Sequence, residues 1–164
     1  MALLKIKFYP DPILRKKCEA IKEITEEIKN LGRDMVETME KNKGIGLSAP
    51  QVGELKRIII VQAENQPRVL INPKIIKKTK ETEIGEEGCL SFPGLFLKIK
   101  RAKGVETEAL NENGEKINFK AEGLPARILQ HETDHLDGIL FIDKISFWQK
   151  LKIRKKLQLR DPAA

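Results

Sequence analysis

Cysteine, histidine and long apolar runs are all scarce in this chain of 164 residues. Its two cysteines, Cys18 and Cys89, are too few for a disulfide framework, which excludes a small disulfide-stapled scaffold. The longest apolar runs are four residues, Ile58 to Val61 and Ile139 to Ile142. A membrane-spanning helix needs roughly 20, so none is expected. The opening MALLKIKFYP has neither a long apolar stretch nor a small-residue cleavage site, so no secretory signal is expected and the expected location is cytoplasmic. Repeats and low-complexity linkers are absent too. What the chain does have is charge: 34% of residues are charged, and 31 Lys+Arg against 24 Asp+Glu leave a net charge of +7. That balance permits a polyanionic partner without requiring one. With 40% hydrophobic residues the chain can bury a core, and its length suits one domain over residues 1–164.

Periodicity sets out the elements. Residues 11–17 form a short helical turn after Pro12. Ile24, Ile28, Leu31, Met35 and Met39 recur at helical spacing, with Thr25 placed to cap and Gly44 beyond the end. The segment GIGLSAPQVG, residues 44–53, reads as a loop. Strand-like runs follow at Arg57–Gln62, Val69–Asn72, Lys74–Lys78, Leu95–Lys100, Val105–Leu110 and Lys116–Ala121. The last two flank Asn113-Gly114, a hairpin signal. A second helix is predicted over Leu124–Leu136, with Pro125 in its first turn and Gly138 after its end. A third, basic helix is predicted over 146–159, ending the domain at about 146–160. One long helix, many short strands and two more helices do not alternate as βαβ units. They predict an α+β fold of short antiparallel sheets wrapped around a central helix.

The only two histidines lie in His131-Glu132-Thr133-Asp134-His135. Positions i and i+4 share a helical face, so both imidazoles can bind one metal ion, with Glu132 beside them as a general base. His131 and His135 align with Leu124 and Ile128, so that face is predicted to be buried. A catalytic metal ion commonly takes a third protein ligand. No histidine is left to supply it, and Phe141 stands where an HExxHxxGxxH pattern needs one. The candidates are a carboxylate or a cysteine. Cys89, next to Gly88, is the better cysteine, and Cys18 reads as a bystander.

Three segments in this order and spacing, GIGLSAPQ (44–51), EGCLS (87–91) and QHETDH (130–135, continued by LDG), resemble those of bacterial peptide deformylases. The resemblance extends from about residue 5 to 146. Two positions depart from it: Ser48, where alanine is common, and Phe96, where many relatives carry an arginine that helps to position substrate.

The resemblance implies a residue-by-residue assignment. Cys89, His131 and His135 are the metal ligands. Glu132 is the general base, and the Gln51 side chain and Leu90 N–H are the oxyanion donors. Gly44, Ile45, Gly46, Gly88, Leu124 and Ile128 are the substrate contacts. Ile45, Leu124, Ile128 and His131 surround a methionine side chain, and the peptide pairs with backbone near Ile45 and Gly88. The implied cofactor is one divalent ion, Fe2+ in the cell, with Zn2+ or other ions possible in purified samples. The implied reaction is removal of the N-formyl group from formyl-methionyl nascent peptides with release of formate. In the C-terminal helix, Lys150, Lys152, Arg154, Lys155, Lys156 and Arg160 form a basic cluster with Leu151, Ile153, Leu157 and Leu159 between them. That cluster is either a solvated helix face or a docking surface for ribosomal RNA. Two rival readings of the whole chain are a zinc metallopeptidase and a non-catalytic RNA- or ribosome-binding domain that keeps its metal as a staple.

Overall fold

The first helix forms where capping and periodicity coincide. The hydroxyl oxygen of Thr25 accepts from Ile28 N, Glu26 and Glu27 occupy the positive first turn, and α1 runs over Glu26–Lys41. Ile28, Met35 and Met39 face the core. Gly32 lies on the same side, where a Cβ would meet Val69 at 3.0 Å, so the helix sits close on the sheet. This is the computed structural model of the chain, and it describes residues 2–63 and 66–158.

Among the described residues seven strands follow: β1 (Gly46–Ser48), β2 (Ile58–Gln62), β3 (Pro67–Lys78), β4 (Thr82–Cys89), β5 (Phe92–Ala102), β6 (Gly104–Leu110) and β7 (Lys116–Glu122). They build a five-stranded sheet in the order β1-β2-β3-β6-β7 and a two-stranded sheet β4-β5, with every pairing antiparallel. The unbroken apolar run in β2 has a direct cause. Ile58 and Ile60 join the cluster of Met35 and Met39, while Ile59 and Val61 join that of Ile128 and Leu129. A strand buried on both faces has no polar side to show.

The second helix, α2 (Gly123–Leu136), lies between the two sheets. Gln130 exchanges hydrogen bonds with both backbone groups of Ala102, and Arg127 donates to Ile99 O at 2.9 Å. This is the expected arrangement of sheets around a central helix. The basic helix α3 (Phe147–Gln158) packs Ile153 and Leu157 against a third cluster with Phe92, Phe141 and Ile142. Among the described residues no helix is long and apolar enough to cross a membrane.

Several expectations need correction. The stretch 44–53 is not wholly loop: it holds β1 and a 3-10 turn, Ala49–Val52. The two runs 69–72 and 74–78 are one strand, β3, interrupted at Asn72. That residue takes φ 51°, which asparagine tolerates better than most, and its side chain holds both backbone groups of Ile21 at 2.8 Å. Strand β4 was not anticipated. Leu124 is 57% exposed rather than buried: it borders the open cavity, and the covered face of α2 begins only at Ala126. Leu151 is exposed too. Leu159 and Arg160 lie outside the described residues, as do the side chains of Lys155 and Lys156.

Candidate active site

Helix α2 aims its two histidines at a single point. His135 Nε2 stands 3.2 Å from His131 Nε2 and 3.3 Å from Cys89 Sγ. All three ligand atoms fall within 4.8 Å of one another. Ligands about 2.0–2.3 Å from a tetrahedral zinc or similar ion stand roughly 3.3–3.7 Å apart, so this set fits one such ion. The end of β4 supplies Cys89, and the cysteine proposed from sequence is therefore the one brought to the histidines. Cys18 lies elsewhere, buried beside Ile59 and Leu136, with its thiol pushed up to about 11 chiefly by burial.

Behind the histidines is a buried ionic cluster. His131 Nδ1 is 2.9 Å from Glu87 Oε2, which orients the ring and leaves Nε2 facing the ligand point. Glu87 also accepts two hydrogen bonds from Arg101, at 2.9 and 3.0 Å, and one from Arg127 at 2.8 Å. Burial pushes its carboxyl up, but hydrogen bonds from His131 and Arg101 and the arginine's charge outweigh that and hold it at about 2. Burial also pulls the His131 pKa down, yet contacts with Cys89 and Glu87 carry it well above the ordinary histidine value. Burial, and then the charge of His131, push His135 well below. Glu87 thus places a carboxylate directly behind the imidazole whose Nε2 faces the ligand point.

Glu132 is 5% exposed, and its Oε2 has no hydrogen-bond partner among the described residues. Burial raises its carboxyl to about 7, opposed by the charge of His131 and a hydrogen bond with Ser48. Room for it is made by Gly46, where a Cβ would collide with Glu132 Oε1 and come within 2.9 Å of Ile128 Cγ2. Gln51 is fixed at both ends of its amide. Its Oε1 accepts from the backbone N and the hydroxyl of Ser48, at 2.9 and 2.8 Å, and its Nε2 donates to Cys89 Sγ at 3.3 Å and Ser91 Oγ at 3.2 Å. The Ser48 hydroxyl thus orients the glutamine that faces the metal ligands.

These groups sit in a cavity of about 600 Å³. Gly44, Ile45, Gly46, Gln51, Gly88, Cys89, Leu90, Leu124, Ile128, His131 and Glu132 all border it, so the cavity gathers every sequence-predicted site residue except His135. It lies where β1, the last strand of its sheet, comes near β4, whose named strand partner is β5. Sequence reasoning missed Glu87, Arg101 and Arg127. The one local signal was Arg127, four residues before His131 on the same helical face.

Comparison with known proteins agrees with this geometry. The profile of the polypeptide deformylase family matches residues 3–151. The chain is 50% identical over 165 residues to the peptide deformylase of Thermodesulfovibrio yellowstonii, covering 98% of this chain and 99% of that protein. The crystal structure of peptide deformylase from Thermotoga maritima superposes with a TM-score of 0.87 at 42% identity, covering 89% of this chain and 99% of that one. The peptide deformylase of Synechococcus elongatus, crystallised in complex with actinonin, gives 0.88 at 41% identity, covering 93% of this chain and 85% of that one.

Proposed function

This chain belongs to the peptide deformylase family of metal-dependent hydrolases, which remove the N-formyl group from nascent peptides, and on that premise we propose how its residues carry out the reaction. The observation that carries the reading is convergence. A buried carboxylate oxygen without a partner among the described residues, Glu132 Oε2, and an oriented amide, Gln51 Nε2, border the cavity at the Cys89, His131 and His135 ligand set.

Cys89, His131 and His135 would hold the ion, which supplies Lewis acidity and lowers the pKa of a water molecule. A thiolate and two imidazoles suit ferrous iron and zinc alike. We assign Fe2+ as the working ion in the cell, with Zn2+ or other divalent ions able to replace it in purified samples.

Glu132 takes the proton from the attacking water as the C–O bond forms at the formyl carbon. It then delivers that proton to the leaving amine as the C–N bond breaks, giving formate and a free methionyl N-terminus. Gln51 Nε2 and the Leu90 N–H donate to the oxygen that gains negative charge. The peptide lies extended, pairing with backbone near Ile45 and Gly88. Ile45, Leu124, Ile128 and His131 take the methionine side chain, whose thioether suits apolar walls. Pairing through main chain tolerates varied sequences, as a nascent-chain enzyme must.

The direct test is formate release from formyl-Met-Ala-Ser by anaerobically purified protein, beside casein digestion. Release without casein cleavage supports deformylation, and the reverse supports a peptidase. Gln51→Ala is expected to slow turnover by about 10²–10³-fold, the range for losing one oxyanion donor, and to cost about 1–3 kcal/mol of stability because the buried Ser48 N–H and hydroxyl lose their acceptor. An unaltered kcat would remove Gln51 from the mechanism. Gly46→Ala is expected to cost about 10²-fold, because its Cβ must displace the Glu132 carboxylate. Retained activity there would show that Glu132 has freedom this packing denies it.

We also assign ribosomal RNA as the partner of the basic C-terminal helix, on which Lys150, Lys152 and Arg154 are exposed. Reversing these three charges to glutamate is expected to weaken ribosome binding at least ~10-fold and to flatten its salt dependence. Unchanged sedimentation with ribosomes would return the helix to a solvated surface.

A further inference from the structure

Helix α3 carries apolar side chains on two opposite faces. Ile153 and Leu157 pack inward, against the cluster of Phe92, Phe141 and Ile142. Phe147, Trp148 and Leu151 point outward and are 67%, 72% and 41% exposed. A helix turns by about 100° per residue, so the outer three share an arc of about 100°, roughly opposite Ile153 and Leu157. The Phe147 and Trp148 rings meet edge to face, with centroids 5.7 Å apart and planes at 73°. Exposed cations border this stripe on both sides, Lys150 and Arg154 along one edge and Lys152 along the other. The sequence of α3 has no acidic residue, and Asp143, just before it, is paired with Arg15. Assigning ribosomal RNA to the helix gives its basic side chains a partner and leaves the apolar stripe between them without one.

We propose that this outer face docks on an anionic lipid surface: Phe147, Trp148 and Leu151 enter the boundary between headgroups and acyl chains, and Lys150, Lys152 and Arg154 reach the lipid phosphates. Aromatic rings settle at that boundary, and long cationic side chains beside them keep their charge in the headgroup layer. A weak apolar signal and a weak electrostatic one hold a protein on a membrane only together, and here both lie on one face. Each cation near an anionic surface contributes about fivefold in affinity, so three contribute roughly 100-fold. Two other occupants fit the face less well. A second copy would bring cations against cations along both edges of the stripe. Stacked RNA bases need open ring faces, whereas the two rings stand across one another and Leu151 offers no ring at all.

Trp148 is the only tryptophan in the chain, so its fluorescence reports on the stripe directly. Phosphatidylcholine vesicles, alone or with an equal part of phosphatidylglycerol, are titrated into the metal-loaded protein and followed by Trp148 emission and by co-sedimentation. The mixed vesicles are expected to shift the emission to the blue and to sediment the protein, with phosphatidylcholine alone binding at least ~10-fold more weakly. Trp148→Ala is expected to weaken co-sedimentation at least ~10-fold and Trp148→Phe to keep most of it, while both release formate as the parent does. Emission that vesicles leave unchanged, equal binding to the two vesicles, or co-sedimentation that survives Trp148→Ala overturns the proposal. Quenching by a single-stranded RNA with no response to lipid also overturns it and gives the rings to RNA. Blue-shifted emission of the free protein that moves to the red on dilution overturns it in favour of a second copy.

Discussion

Replacing Glu132 by glutamine is expected to reduce formate release by about 10²–10⁴-fold, the range for losing a positioned general base. Glutamine keeps the size of the side chain and one acceptor oxygen but cannot take a proton. The fold and metal content of the variant should match the parent, because Glu132 is not among the three residues whose ligand atoms converge. Stability gives a second readout. In the metal-free protein the Glu132 carboxyl is raised to about 7 from an ordinary 4.5, mainly by burial. An acid whose folded pKa is raised binds more protons folded than unfolded, so its effect on stability turns unfavourable as pH rises from 4.5 through 7. The shift corresponds to something on the order of 3 kcal/mol once the group is ionised. Metal-free Glu132→Gln should therefore be more stable than the metal-free parent at pH 8 and close to it at pH 4, by denaturant unfolding. An active site that keeps a destabilising charge because turnover needs it has this signature. A variant that keeps full turnover, or loses stability at pH 8, would give Glu132 a structural role and bring back the metal-staple reading.

How much of this could be read in advance differs from residue to residue. Helices α1 and α2 were legible because an apolar stripe, a cap or N-terminal proline and a following glycine agree in each. The β6–β7 hairpin was legible from Asn113-Gly114, where Gly114 takes φ 82°. The histidine pair was legible because one helical turn is a local distance. Cys89 was legible only as one candidate third ligand beside a glycine, and Gln51 not at all from local pattern. They meet at 3.3 Å across 38 residues, and only the family resemblance joined them. Strand β4 was missed because its sequence, TEIGEEGC, carries two glycines and little alternation. Both glycines have tertiary causes: a Cβ at Gly85 would meet the Arg127 guanidinium at 2.9 Å, and one at Gly88 would meet the Phe96 ring. Strand β1, three residues long, is too short for any periodicity to show. Glu87, Arg101 and Arg127 are three charges among many in a chain 34% charged, and nothing local separates a buried ionic cluster from a solvated face. The chemistry was therefore legible through its motif, and the scaffold that orients it only through the fold.

That scaffold carries the second large expected effect. Glu87→Gln is expected to cost about 3–5 kcal/mol of stability at pH 7, as breaking a buried ion pair does when its partners stay behind. Two guanidinium groups, on Arg101 and Arg127, would then lack their shared carboxylate. Arg101 keeps Asp134, and Arg127 keeps the carbonyl of Ile99 at 2.9 Å, which places the cost near the lower end. For a chain of this length that lowers Tm by about 6–12 °C. Metal affinity should fall about 10–100-fold, because Glu87 is the group that orients His131. Working through the sign gives the pH dependence. The folded carboxyl is held at about 2 against an ordinary 4.5, so its stabilisation is complete above 4.5 and is lost as pH falls towards 2. Denaturant unfolding of the metal-free proteins should show the gap between parent and Glu87→Gln wide at pH 7 and closing between pH 4.5 and 2. A gap that stays constant across that window would mean the loss comes from packing and not from the carboxylate's charge. Unchanged stability with weakened metal binding would confine Glu87 to orienting His131. Weakened stability with unchanged metal binding would mean that helix α2 alone holds the imidazoles in place.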